Sequence, residues 1–196
     1  MHLERHFPHL LKTTVQARSE EITYLTTAFI SAYLSMNSDL LKRPSLDSSF
    51  SGSTAVSVVI RGNLAIGANA GDSRAILAKK SAGVWTAVPL SNDHKPDDPS
   101  EQSRIQRYGG RVEPFKGTIH SDESGRPLGP ARVWLRNEQI PGLAMSRSIG
   151  DSVAAQVGVI SEPEIMQVEL TPEHKFLVLA SDGVWEFISS QAVAGM

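Results

Sequence analysis

Three short apolar runs separated by tight breaks constrain this chain more than any other feature. They are Thr54–Ile60, Leu64–Asn69 and Arg74–Ala78, and the breaks between them are Arg61-Gly62-Asn63 and Ala70-Gly71-Asp72-Ser73. Runs of this length bounded by turn residues fit strands and are too short for helices. Gly beside Asn or Asp supplies the backbone freedom a tight turn needs, so the pattern predicts an antiparallel meander. Val84–Pro89 is expected to add a further strand, and Ile165–Leu170 and Lys175–Ala180 two more, joined by Thr171-Pro172-Glu173-His174.

Helical patterning precedes the strands. Residues 2–11 and 15–36 read as helical; in the second stretch Ile22, Leu25, Phe29, Ile30 and Tyr33 recur at three- and four-residue spacing. Asn37–Ser53, rich in Ser and Asp and containing Pro44, reads as a loop. Pro99–Tyr108 is expected to form a short helix capped by Ser100, with Glu101 in its first turn and Gly109-Gly110 at its end. Residues 111–142 show no steady period and read as an irregular, exposed insertion, and Val184–Val193 opens a final helix. Helices, then many strands, then helix again argue for α+β layers.

A length of 196 residues suits one sizeable domain. The net charge of −2 gives no global pull toward nucleic acid or an anionic membrane. With no cysteine, a disulfide framework, a Cys-based zinc site and a thiol nucleophile are excluded. The longest apolar stretches fall well short of the ~20 residues a membrane-spanning helix needs. The start, MHLERHFPHLL, lacks the apolar core of a secretory signal, so an intracellular protein of the cytoplasm or nucleus is expected.

Two acidic residues sit where apolar strands end. Phe176–Ala180 runs into Ser181-Asp182-Gly183, and Leu64–Asn69 runs into Gly71-Asp72-Ser73. A rigid strand delivers such a carboxylate to the rim of the core, and Mg²⁺ and Mn²⁺ prefer carboxylate oxygens. Both residues also suit plain turns, the commoner role of Asp beside Gly. His2, His6 and His9 share a helix face without a metal-ligand motif around them, and His120 and His174 stand alone. His94, in Asp93-His94-Lys95-Pro96, reads as a loop or packing residue, and Trp85, Trp134 and Trp185 as packing residues. Ser146 and Ser148 lie in a segment without the Gly-x-Ser-x-Gly elbow of serine hydrolases.

Taken in order, the short motifs resemble those of the metal-dependent protein phosphatases of type 2C, the PPM family. They are Ser51-Gly52-Ser53-Thr54-Ala55, Ala68-Asn69-Ala70-Gly71-Asp72-Ser73-Arg74-Ala75 and Leu90-Ser91-Asn92-Asp93-His94-Lys95-Pro96. Glu101, Arg104-Ile105 and Gly109-Gly110 follow, then Leu143-Ala144-Met145-Ser146-Arg147-Ser148-Ile149-Gly150-Asp151. Glu162-Pro163-Glu164 and Ala180-Ser181-Asp182-Gly183-Val184-Trp185-Glu186 complete the series. Arg132-Val133-Trp134-Leu135 ahead of Pro141-Gly142-Leu143 resembles the plant and protist members with a longer loop.

The resemblance implies a central β-sandwich of two antiparallel sheets flanked by helices. It implies hydrolysis of phosphoserine and phosphothreonine on protein substrates by a water that two Mg²⁺ or Mn²⁺ ions activate, with a possible third ion. Asp182 matches a direct metal ligand, and Asp72 and Glu186 match positions used for the weaker third ion. Ser146, Gly150 and Asp151 match the substrate-facing segment. Thr54 and the Arg104–Gly110 block match architecture. Phosphoproteins are the expected partners of a monomer, with neither nucleic acid nor membrane among them.

Part of the family pattern is missing. The Asp-Gly-His-Gly strand end with its phosphate-binding Arg is not in the chain, whose one Asp-Gly is Asp182-Gly183, and no Asp-Asn pair occurs. By family position Met1 falls just after the missing segment and Met196 falls inside a later helix. The chain therefore reads as a partial domain over 1–196, helical over 1–36, with core motifs at 51–110 and 143–193 and the irregular loop at 111–142. Alone it is expected to be inactive. A non-catalytic regulator that binds phosphoproteins or kinases is the alternative.

Overall fold

The structure is a computed structural model that describes the backbone of residues 2–115 and 129–196, with side chains from residue 19 onward. Of the histidines, His2, His6, His9 and His120 have side chains outside the described residues. No described helix is long and apolar enough to cross a membrane.

Two three-stranded antiparallel sheets form the centre. One contains β2 (Ala55–Arg61), β3 (Leu64–Ala70) and β10 (Glu164–Glu169), with β3 in the middle. The other contains β4 (Arg74–Ser81), β5 (Val84–Pro89) and β11 (His174–Ala180), with β4 in the middle. The expected strands are present, but the meander is not. The chain pairs β2 with β3 and then crosses at Ala70–Ser73 into the opposite sheet to begin β4. The segment between β10 and β11 crosses in the same way, so the two late strands flank β3 and β4 separately.

Crossing makes a sandwich because each middle strand is apolar on both faces. Ala65 from β3 meets Ala75 and Leu77 from β4 between the sheets, with Val56, Val58, Val168 and Leu177 closing round them. On the outer face of β3, Ala68 and Ala70 pack against Tyr33 of the long helix α1 (His2–Leu41), together with Phe29 and Leu40. The Tyr33 hydroxyl donates to the Ala68 carbonyl at 2.9 Å, so the buried phenol is satisfied. On the outer face of β4, Ile76 and Ala78 pack against Trp185 and Ala194 of α4 (Asp182–Trp185) and α5 (Ser190–Gly195).

Several local expectations change. α1 is continuous where two helices with a break were expected, and it extends through Leu41 because Leu40 is drawn onto the sheet and Asn37 accepts the Gly150 N–H at 2.8 Å. The helix α2 (Pro99–Arg107) is capped by Asp98, not Ser100: Asp98 Oδ1 accepts from the Ser100 N–H at 3.0 Å. The expected last helix is two short ones, α4 and α5.

The largest correction concerns 111–142. Its described parts form an antiparallel sheet of β6 (Arg111–Pro114), β7 (Ala131–Trp134) and β8 (Pro141–Leu143). Strands of three or four residues are too short to leave a readable alternation. Trp134 holds the sheet: it is buried, and its indole N–H donates to the Glu113 carbonyl at 2.9 Å. Val133 joins Ile105 of α2 and Val157 in a separate cluster, which moors this sheet to the body. A two-residue pairing of β1 (Gly52–Ser53) with β9 (Ile149–Gly150), followed by α3 (Ser152–Ala155), completes the described fold.

Gly67 reports how tightly the sandwich closes, because a Cβ there would overlap the Leu90 carbonyl at the exit of β5. Gly67→Ala is expected to lower stability by about 1–3 kcal/mol through overpacking, read as a fall in the urea unfolding midpoint at unchanged slope.

Candidate functional site

The crossover between the sheets carries the first acidic residue. Gly71 has φ +112°, a conformation side chains resist, and a Cβ there would meet Thr54 at 2.5 Å. The buried His94 ring receives the Gly71 N–H on Nδ1 at 3.2 Å, and its own backbone N–H donates to the Gly71 carbonyl at 3.0 Å. With Nδ1 accepting, the ring proton sits on Nε2, which donates to Glu164 Oε2 at 3.1 Å. Burial, with the nearby Arg147, pushes the imidazole below its ordinary pKa, so His94 stays neutral and supports the turn. Thr54 Oγ1 and Ser73 Oγ, 2.7 Å apart, close its other side. Asp72, between Gly71 and Ser73, is thereby buried and fixed.

The end of β11 carries the second. Asp182 opens α4, where Trp185 packs beneath the strand ends and its indole N–H donates to the Ala180 carbonyl at 2.8 Å and the Arg74 carbonyl at 3.1 Å. Arg74 lies over the Trp185 ring at 5.4 Å and grips Asp93 with two donors at 2.7 and 2.8 Å. The strand ends are thus locked together by an aromatic anchor and a two-point ion pair.

These two ends face one cleft. A hollow of about 300 Å³ is lined by Asp72, Asp151, Asp182, Arg132 and Met145, among others. An adjoining hollow of about 410 Å³ shares Asp72, Asp182 and Arg132 and adds Lys95 and Glu186. Four of the residues singled out from the sequence, Asp72, Asp151, Asp182 and Glu186, therefore line continuous space. The other two, Ser146 and Gly150, do not line these hollows. Ser146 is fully buried, and its hydroxyl donates to Glu101 Oε2 at 2.6 Å, away from the cleft. Gly150 is a packing residue: its φ is +91° and a Cβ would come within 2.5 Å of the Ser51 carbonyl. Asp151 stays beside the cleft in a left-handed conformation, φ 48°, where Asp is among the better-tolerated side chains. Its carboxylate accepts from the Ser148 hydroxyl, which steadies it.

Three participants stood in the sequence only within motifs and were not assigned to the site. Lys95 reaches Asp72 Oδ2 at 2.6 Å, and Arg132 lines both hollows while donating to the Gly142 carbonyl at 2.7 Å. Glu101 knots the cleft wall from behind, accepting from Arg104 at 2.6 and 2.7 Å, from Arg147 at 2.9 Å and from Ser146. Arg104 also donates to the Ser146 and Gly158 carbonyls at 2.8 Å, so α2 holds the segment bearing Ala144 and Met145. Desolvation alone would raise the Glu101 pKa, but the donors from Arg104, Arg147 and Ser146 outweigh it and bring it to about 2.

Among the described residues, no three His, Asp or Glu side chains converge closely enough to hold a metal ion. Asp72 is already paired with Lys95, and Mg²⁺ and Mn²⁺ need several anionic oxygens. The described residues do not by themselves fit a two-ion centre.

A helix-covered sandwich of two antiparallel sheets with an acidic cleft at its crossovers defines the class of this protein. The protein phosphatase 2C family model matches residues 3–196, and the chain belongs to that family. It is 45% identical over 170 residues to "Probable protein phosphatase 2C 12" of Oryza sativa subsp. japonica, covering 86% of this chain and 41% of that protein. Against "Probable protein phosphatase 2C 35" of Arabidopsis thaliana it is 40% identical over 195 residues, covering 93% and 56%. The serine-threonine phosphatase 2C of Toxoplasma gondii shares the fold, with a TM-score of 0.77 at 24% identity over 92% of this chain and 57% of that one. The chain spans about half the length of these relatives.

Glu101→Gln is expected to cost about 3–5 kcal/mol, because Arg104 and Arg147 keep their charge while losing an anionic partner. Because the folded carboxylate is depressed below its unfolded value, its contribution is present above the ordinary Glu range. It is lost as pH falls from ~4.5 toward ~2. Urea midpoints measured from pH 7 down to pH 3 check this: the wild type declines across that window, and Glu101→Gln declines less.

Proposed function

We propose that this chain is the central part of a protein serine/threonine phosphatase of the metal-dependent 2C class, acting on phosphoserine and phosphothreonine in proteins. The observation that carries the reading is the meeting of Asp72, from the β3–β4 crossover, with Asp182, from the end of β11, in one cleft. Independent crossings of the sandwich deliver two carboxylates to the same rim, the chemistry that hard divalent cations prefer.

In this reading Asp182 and Asp72 contribute to Mg²⁺ or Mn²⁺ binding in the complete domain, with Glu186 at the outer edge. Asp151 lies beside the incoming phosphoprotein, while Ser146 and Gly150 support the wall from behind. The chain's own part is to present these carboxylates on rigid elements and to hold the cleft wall through Glu101. Its described carboxylates do not close a two-ion site unaided, so no hydrolytic step is assigned to it alone. A monomer in the cytoplasm or nucleus, without nucleic-acid or membrane partners, belongs to the same proposal.

The test compares two proteins on a phosphothreonine peptide with Mn²⁺. The 196-residue chain is expected to show no turnover above background. The product of the reading frame extended on both sides is expected to encode an upstream Asp-Gly-His-Gly and to hydrolyse the peptide. Asp182→Asn in that product is expected to cost more than the roughly 10–100-fold typical of a residue that merely supports a metal ligand. Mn²⁺-dependent turnover by the 196-residue chain, lost on Asp182→Asn, overturns the assignment of silence. An extended product that binds the phosphopeptide without hydrolysing it replaces the proposal with a non-catalytic regulator.

A further inference from the structure

We infer that Ser45 is a phosphorylation site for a basic-directed serine kinase, placed on the loop that leads from α1 to the wall of the acidic cleft.

The charge pattern selects one hydroxyl out of the whole chain. Lys42 and Arg43 stand three and two positions before Ser45, and no other serine or threonine has a basic residue three positions before it. A kinase that chooses substrates by upstream charge meets those bases with carboxylates of its own, and the match sets both encounter and register. Ser81, which follows Lys79 and Lys80 directly, lies in the pairing of β4 with β5, opposite Val84, and its hydroxyl is hydrogen-bonded to Glu173.

The structure leaves the Ser45 hydroxyl within reach. Every residue from Leu41 to Asp47 is exposed, the apolar Leu46 included. Across this turn the backbone bonds outside α1 are local among the described residues. The Arg43 N–H donates to the Leu40 carbonyl and the Leu46 N–H to the Arg43 carbonyl, each at 3.1 Å. The turn borders an open hollow of about 520 Å³ lined by Lys42, Arg43, Leu46 and Asp47, among others. A segment held so locally opens at low cost, as a kinase that takes its substrate in extended form requires. Attachment to the body resumes at Ser48 and Ser49, whose carbonyls accept from the Ser152 and Val153 N–H groups at 2.8 and 3.1 Å.

The chemistry is phosphoryl transfer from ATP. The bond between Ser45 Oγ and phosphorus forms as the bond to the β-phosphate oxygen breaks; ADP leaves, and the hydroxyl proton passes to the kinase's carboxylate base. The product places roughly two negative charges beside Lys42 and Arg43. Further along the same loop Phe50 lines the cleft and the Ser51 carbonyl accepts the Asp151 N–H at 2.9 Å, so the modified turn is continuous with the cleft wall.

The experiment incubates the 196-residue chain with magnesium ATP and the catalytic subunit of cyclic-AMP-dependent protein kinase, a basic-directed enzyme, and maps the phosphopeptides by mass spectrometry. Ser45 is expected to carry the phosphate, and Ser45→Ala to abolish it. Lys42→Gln combined with Arg43→Gln is expected to slow the initial rate at Ser45 about tenfold, because two charge contacts with the kinase are lost. Lys42→Arg, which keeps the charge, is expected to be modified as wild type is. All three side chains are exposed, so these substitutions leave the fold intact. The inference is overturned if Ser45 stays unmodified in wild type or if the phosphate is found mainly on other residues. It is equally overturned if the paired Gln substitutions leave the rate at Ser45 unchanged.

Discussion

The close approach of the two sheets governs the rest of this structure. Small residues, Ala65 and Gly67 on β3 and Ala75 on β4, let the middle strands come together with the Leu90 carbonyl packed where any Cβ at Gly67 would lie. At interior packing density such contact leaves little freedom for one sheet to slide over the other. The strand ends are therefore fixed in relation to one another. Asp72 leaves the sandwich at one crossing and Asp182 at the end of the matching strand, and both emerge at the same rim. The helices follow from the same constraint, since each middle strand needs a cover for its second apolar face. Tyr33 of α1 covers one and Trp185 of α4 covers the other.

Polar groups then fix the rim with three separate locks. His94, held neutral by burial, clamps the turn at Gly71. Arg74 ties the start of β4 to Asp93 and, through its 2.9 Å contact with Ser190, to the last helix. Glu101 gathers Arg104, Arg147 and Ser146 behind the cleft wall. Buried ions of this kind are costly unless every partner is present, and here the carboxylate oxygens are shared among four donors in close geometry. The effect is a cleft whose acidic side chains stand on rigid backbone, as a site for cations or phosphorylated ligands requires.

Membership of the protein phosphatase 2C family rests on the match over residues 3–196, while the chain spans about half the length of its relatives. The described residues supply Asp72, Asp182 and Glu186 to the cleft and no three that converge on an ion. The chain provides a sandwich centre and a cleft wall lined by Asp72, Asp151, Asp182 and Glu186.

The sequence by itself determined the strands, the family and the names of the cleft carboxylates. Apolar runs bounded by Gly-Asn and Gly-Asp breaks identify β2, β3 and β4, and Asp72 and Asp182 stand out because each ends such a run. What it left undecided is how the runs pair. Alternation records that a face is buried, but not against which sheet, so the Ala70–Ser73 break read as a hairpin turn when it is a crossing. The small sheet of β6, β7 and β8 escaped notice because three- and four-residue strands leave no period to read. Ser146 read as substrate-facing because it matches that segment of the family; the hydrogen bond to Glu101, 45 residues earlier, shows where its hydroxyl is engaged. Lys95 stood in the sequence only as part of the Leu90–Pro96 motif, with nothing to tie it to Asp72, 23 residues away across the crossing. Local composition sets which elements form. Which charges meet is decided by packing between distant segments, and that is where the site of this protein is made.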